Sequence, residues 1–356
     1  MRVLVVVALA ACAAEPAAPF EDWTWELPRR FAPPTVPADN PMSIEKVELG
    51  RHLFYDTRLS TNGTQACASC HRQELAFTDG EVTSVGATGE RGKHNAMSLV
   101  NAGYNSTHTW ATNIAHLEAQ ALAPMFGTAP VELGLAGGEA ALLARLRAEP
   151  TYQMLFPAAF PDDEDPFSVD TITRALASFE RTIISGNSRF DAFVTGTASA
   201  LDAAEQRGLA LFESPRLGCT TCHGGFNLSA VVGDSVQFFN TGLYNLDGKG
   251  AYPAGDGGLY EITGDPAHMG RFKPPTLRNI AITAPYMHDG SVATLEDVID
   301  IYARGGRGEG AASPLKSVFM TGFTLTAEER ADLIAFLNAL TDEELLRNSA
   351  LSSPWR

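Results

Sequence analysis

Two short stretches of the chain, Cys67-Ala68-Ser69-Cys70-His71 and Cys219-Thr220-Thr221-Cys222-His223, share the pattern C-x-x-C-H. Two thiols three positions apart can each add to a vinyl group on one edge of a porphyrin, and the imidazole that follows then reaches the iron as an axial ligand. Each motif therefore specifies a covalently attached c-type haem and its proximal histidine. The competing chemistries are a zinc site and a redox dithiol. Zinc ribbons place their C-x-x-C halves about 15–20 residues apart, and a dithiol needs no adjoining His. These two motifs lie in opposite halves of the chain, and each carries the His.

Helices must hold these motifs. Ser168 reads as an N-cap, and Val169, Ile172, Leu176, Phe179 and Ile183 follow at helical spacing, which puts one apolar stripe on a helix. Thr326 and Glu329 form a capping box before Leu333, Ile334, Leu337 and Leu340, and Leu295, Val298, Ile299 and Tyr302 repeat the pattern after Thr294. Gly and Pro are dense over residues 218–275, which predicts long loops over the second haem. The reading is a mainly α protein of two cytochrome c-like haem domains with long loops. Residues 42–195 form the N-terminal haem domain, 196–345 the C-terminal one and 346–356 a tail.

The 356 residues suit two domains, and 45% hydrophobic content with 19 Phe and 4 Trp excludes a disordered chain. No apolar run approaches the roughly 18 residues of a membrane span. A net charge of −16 argues against a nucleic-acid surface and favours basic partners. The fifth cysteine, Cys12, follows Met1-Arg2, a short apolar stretch and Leu9-Ala10-Ala11. Residues 1–12 thus read as an export signal with a lipobox-like end, in which Cys12 would be lipidated and anchor the protein to a membrane. A plain signal peptide or a misassigned start is the alternative. Residues 13–41 are rich in Pro, Ala and acidic side chains, a composition suited to a tether or extended arm more than to a packed element.

With both motifs in place, the sequence resembles the bacterial dihaem cytochrome c peroxidase and MauG superfamily. The likeness runs through Leu49-Gly50-Arg51 to Gly80, residues 95–134, residues 211–226, and Lys273-Pro274-Pro275-Thr276-Leu277-Arg278-Asn279 to Tyr302. Asp39-Asn40-Pro41-Met42-Ser43, Pro124-Met125-Phe126-Gly127 and Pro130-Val131-Glu132-Leu133-Gly134 look like the MbnH branch of MauG relatives, which modifies a copper-associated partner protein. The resemblance implies a periplasmic, peroxide-dependent oxidoreductase. Its peroxide-reactive haem lies in the N-terminal domain and communicates with the second.

The resemblance also assigns residues. Where a resting peroxidase carries a distal histidine, Ser84-Val85-Gly86-Ala87 ends in Ala87, which cannot coordinate, so haem one is expected to keep an open position. His94 is the nearest substitute ligand, and otherwise a surface His. Glu132 matches the acid-base glutamate that assists cleavage of peroxide, against an ordinary role as a solvated loop carboxylate. Gln120 matches the hydrogen-bonding glutamine beside it, and Trp110 the tryptophan that carries charge between the haems, a role compatible with core packing.

Tyr302 stands where peroxidases of the family place a methionine on the iron of haem two and MauG places tyrosine. A phenolate is a hard donor that stabilises ferric and higher states. Met269 and Met287 are its rivals, and Tyr302 also fits the apolar stripe of its helix. Asn95, Thr283 and Pro285 match an inter-haem calcium site, with oxygen ligation that suits calcium. His288 is expected to order that region by hydrogen bonding.

The expected activity is MauG-like: hydrogen peroxide generates a high-valent dihaem state that oxidises residues of a partner protein. The alternative is a cytochrome c peroxidase that reduces hydrogen peroxide with electrons from a small cytochrome. A non-enzymatic electron-transfer cytochrome is third, and the open position implied by Ala87 speaks against it.

Overall fold

A computed structural model of the chain describes residues 23–233 and 237–355. The export signal, Cys12 and the start of the arm lie outside the described residues. Among the described residues, twelve α-helices follow one another: α1 (Ile44–Phe54), α2 (Cys67–Cys70), α3 (Leu117–Phe126), α4 (Glu139–Arg147), α5 (Pro150–Ala159), α6 (Val169–Glu180), α7 (Arg189–Val194), α8 (Ala203–Phe212), α9 (Thr220–His223), α10 (Tyr260–Thr263), α11 (Leu295–Ala303) and α12 (Ala327–Asn338). Pairing between extended segments is confined, among the described residues, to isolated bridges such as Phe239 with Phe272. The protein is mainly helical with long loops, as expected.

The capping residues act as their positions predict. Ser168 accepts from the backbone N–H of Thr171 at the start of α6, Thr294 from Asp297 at α11, and Thr326 from Glu329 at α12. The stripe of α6 is buried at Ile172, Leu176 and Phe179. Burying such a side chain stabilises the fold by about 1.5–3 kcal/mol.

Each half builds its own core around one close helix crossing. In the first, α1 crosses α6 at Gly50, where an added Cβ would sit inside van der Waals contact of the Ala175 carbonyl. In the second, α8 crosses α12 at Gly208, where a Cβ would press on the Asp332 carbonyl. The same solution thus serves both halves, because only a residue without a side chain lets the two backbones approach so closely.

The arm is extended, and although many of its described residues are exposed, others dock it on the body of the protein. Phe31 lies edge-on to both Tyr104 and Phe226 and under the Arg278 guanidinium, and Tyr104 Oη donates to Ala32 O at 2.8 Å. The composition concealed this because a few aromatic contacts suffice to dock an otherwise polar segment. The tail is packed as well. Leu345 and Leu351 are buried in the core of the first half, and Trp355 packs against it. Gln73 Nε2 donates to Leu345 O and Asn348 O, Tyr55 Oη to Leu351 O, and Trp355 Nε1 to His52 O. The chain therefore returns to its first core after building the second.

Candidate functional site

A cavity of about 300 Å³ opens beside the first motif. Its lining includes Cys67, Cys70, His71, Trp110, Gln120 and Glu132, so residues 65 positions apart in sequence meet in one space. His71 Nδ1 is 2.9 Å from Phe77 O, so the ring donates there and keeps Nε2 as its free nitrogen. Burial lowers the His71 pKa, which keeps the imidazole neutral and able to ligate a metal. Burial pushes the Cys67 and Cys70 thiols up, and both are free of disulfides.

Two loops are locked together on this cavity. Ala87 N–H donates to Glu132 O at 2.6 Å, and Asn62 Nδ2 donates to Ala87 O at 2.6 Å. Thr61 N–H and Leu133 N–H donate to Leu133 O and Pro124 O, which fixes the segment carrying Glu132 to the end of α3. Gln120 projects from that helix. The Glu132 side chain faces the open cavity, and its carboxylate makes no hydrogen bond or ion pair among the described residues. Enclosure raises its pKa above the ordinary value. A carboxyl with a raised pKa and no fixed partner can both take and return a proton.

Trp110 also lines the cavity while packing into the core of the second half. Its indole Nε1 donates to Asn95 O at 2.8 Å. Asn95 N–H donates to His288 O, and Asn95 Nδ2 to Glu81 O, both at 2.8 Å. The side-chain oxygen of Asn95 accepts no hydrogen bond among the described residues, which suits an oxygen ligand. Thr283 is buried and Pro285 half-buried, in the segment that leads to His288.

In the second half, His223 Nδ1 is 3.2 Å from Pro275 O, and burial lowers its pKa to about 4. Cys219 and Cys222 are pushed up to about 11, mainly by burial. Tyr302, half-buried on α11, lies close enough to the Cys222 and Cys219 thiols to feel them; desolvation first, and then these two neighbours, raise its pKa. Met269 and Met287 pack on the edge of the same core.

Sequence reasoning missed several groups. Asp256 bridges two imidazoles, with His94 Nε2 at 2.9 Å and His288 Nε2 at 3.0 Å. Burial alone would raise the pKa of Asp256, but the hydrogen bonds from His288 and His94 hold it at about 2. His94 is thus a half-buried partner of Asp256 rather than a surface residue, and His288 also stacks on Phe272 with ring centroids 3.7 Å apart. Glu180 lines the first cavity with Oε2 buried and unpartnered, and burial pushes its pKa up to about 8. Its place on α6 beside an apolar stripe was the one signal available.

The donor sets fit haem. Each Cys pair adjoins a neutral imidazole whose Nδ1 is spent on a backbone carbonyl, and among the described residues no group of three or more His, Cys, Asp or Glu could hold a metal as a zinc site would. Two thiol pairs and two imidazoles so prepared define a di-haem oxidoreductase of the c type. The chain belongs to the di-haem cytochrome c peroxidase and MauG family, whose model, described as Di-haem cytochrome c peroxidase, matches residues 44–199. Cytochrome-c peroxidase IdrP1 of Pseudomonas sp. (strain SCT) is 35% identical over 340 residues, covering 88% of this chain and 85% of that one. Methylamine utilization protein MauG of Methylorubrum extorquens is 36% identical over 307 residues, covering 86% and 81%. A crystal structure of a MauG-like protein associated with microbial copper homeostasis is 50% identical, with a TM-score of 0.91 over 94% of this chain and 100% of that one. Membership implies two c-type haems.

Proposed function

We infer that the protein is a MauG-like oxidoreductase that uses hydrogen peroxide to oxidise residues of a partner protein. The observation that carries this reading is Tyr302, a half-buried phenol beside the second cysteine pair. A phenolate there favours storage of oxidising equivalents over entry of electrons from a cytochrome. The 50% identity to the MauG-like protein associated with microbial copper homeostasis supports the same branch; on that reading the oxidised residue is a tryptophan of a copper-associated partner.

Cys67, Cys70 and His71 would hold haem one, and Cys219, Cys222, His223 and Tyr302 haem two, one haem to each of the domains 42–195 and 196–345. When bound, haem supplies the iron that takes up peroxide and the electrons that split its O–O bond. Ala87, a methyl side chain, would offer bound haem one no competing ligand. The Glu132 carboxylate takes the proton from one peroxide oxygen and returns it to the other, which leaves as water, while Gln120 orients the pair by hydrogen bonding. Trp110, held to Asn95 at the junction of the two halves, provides the aromatic path between them. Asn95 Oδ1 with the carbonyls of Thr283 and Pro285 supplies an oxygen-only site for calcium. The export signal places the enzyme outside the cytoplasm, with Cys12 as its lipid anchor.

The test is to add hydrogen peroxide to the purified diferric protein and follow optical and Mössbauer spectra. Simultaneous change at both irons without a reductant supports the reading; no reaction until haem two is reduced would sink it. Replacement of Tyr302 by Phe should alter the spectrum of haem two alone. The second reading, a cytochrome c peroxidase fed by a small cytochrome, draws on the name of the Pseudomonas relative. It requires steady turnover of peroxide with a reduced cytochrome.

A further inference from the structure

Lys273 belongs to the second half of the chain, yet its side chain lines the cavity beside Cys67 and His71. It is only 3% exposed. Its ammonium donates to Thr107 O at 3.0 Å, and it makes no ion pair among the described residues. An ammonium has three donors, so one carbonyl leaves two of them unused. The buried Arg278 and Arg181 hold Asp191 and Glu118, and the buried Lys46 donates to both Asn40 Oδ1 and Pro41 O, whereas the Lys273 ammonium has Thr107 O alone.

Haem brings two propionate carboxylates into whatever space it fills, and a buried carboxylate needs a cation or several donors. The cavity has few candidates. His94 is already engaged by Asp256, Lys93 is exposed, and His108 is buried with its pKa lowered to about 3, chiefly by burial and then by Lys273 itself, so it remains neutral. We propose that Lys273 is the positioning residue that neutralises a propionate of haem one. Burial alone drives its pKa down to about 7, and a carboxylate partner would restore its full charge.

The backbone around Lys273 gives this contact a second consequence. Lys273 N–H donates to Trp110 O at 2.8 Å, Pro274 O accepts from Ser229 Oγ at 2.8 Å, and Pro275 O faces His223 Nδ1 at 3.2 Å. Three residues, Lys273 to Pro275, therefore carry the cation of one haem site and the carbonyl that orients the proximal imidazole of the other, and two prolines stiffen the link. Lys273 sets the electrostatics of haem one from the segment that also steers haem two.

The inference rests on haem attached at Cys67 and Cys70, which intact mass reads separately as two haem additions. The decisive experiment is spectroelectrochemical titration of fully loaded Lys273→Met, Lys273→Gln and Lys273→Arg proteins, with resonance Raman of the propionate bending bands. Loss of the cation leaves a carboxylate uncompensated near the iron and favours the ferric state. Met and Gln should therefore lower the potential of haem one and shift its propionate band, while Arg keeps both near wild type. An unchanged haem one in the Gln protein, or a shift confined to haem two, overturns the proposal. If Met prevents accumulation of the dihaem protein, the Gln and Arg pair decides it.

Discussion

Ala87 and Glu132 are joined through their backbones, N–H to carbonyl at 2.6 Å, so a side chain at position 87 is tied to the segment that carries the cavity carboxylate. By family resemblance, this is where a resting peroxidase carries its distal histidine. Alanine there gives a locked loop with nothing to release.

Substituting Ala87→His should therefore install a ligand on haem one. The expected outcome is conversion of that haem to a six-coordinate low-spin spectrum and a slower reaction with peroxide, relieved by prior reduction. Electron paramagnetic resonance of the diferric protein checks the ligation, and stopped-flow absorbance the rate.

Glu132→Gln removes the proton carrier but keeps the shape. The rate of reaction with peroxide should fall by about 10²–10⁴-fold, the usual contribution of general acid-base catalysis. To accept a proton the carboxyl must be ionised, and burial raises its pKa above the ordinary value. The wild-type rate should thus rise with pH through a midpoint above 4.5, and the Gln protein should lack that limb.

Trp110→Phe retains most of the packing but leaves Asn95 O without its donor. An unsatisfied buried carbonyl costs about 1–3 kcal/mol, to be read from denaturant midpoints. Electron exchange between the haems should slow while each haem keeps its own absolute spectrum. Unaltered exchange would remove Trp110 from the path.

Gly50→Ala and Gly208→Ala should each destabilise one half. In both, the new methyl must push two helices apart, and overpacking of this kind costs about 1–3 kcal/mol or more. Near-wild-type unfolding curves for both would show that the crossings are slack.

What was legible in the sequence was local. The C-x-x-C-H spacing, the caps at Ser168, Thr294 and Thr326 and the stripe of α6 all depend on neighbours within a turn or two, and the helices form as those residues predict. The contacts of Asp256 with His94 and of Lys273 with Thr107 join residues 162 and 166 positions apart, that of Asp256 with His288 residues 32 apart, and no periodicity records any of them. The docked arm and tail were hidden for the same reason: a single Phe31 or Trp355 decides where each lies. Glu180 carries no signal in the sequence beyond its place at the end of α6, because burial of a lone carboxylate shows only in the folded state.

The returning tail has a consequence for biogenesis. Gln73, two residues beyond the first haem histidine, bonds to Leu345 O across 272 positions. A ribosome delivers these partners in sequence order, so the first core lacks Leu345, Leu351 and Trp355 until almost the entire described chain has been synthesised. Cys67, which packs against that core, thus sits in a shell that the last described residues of the chain complete.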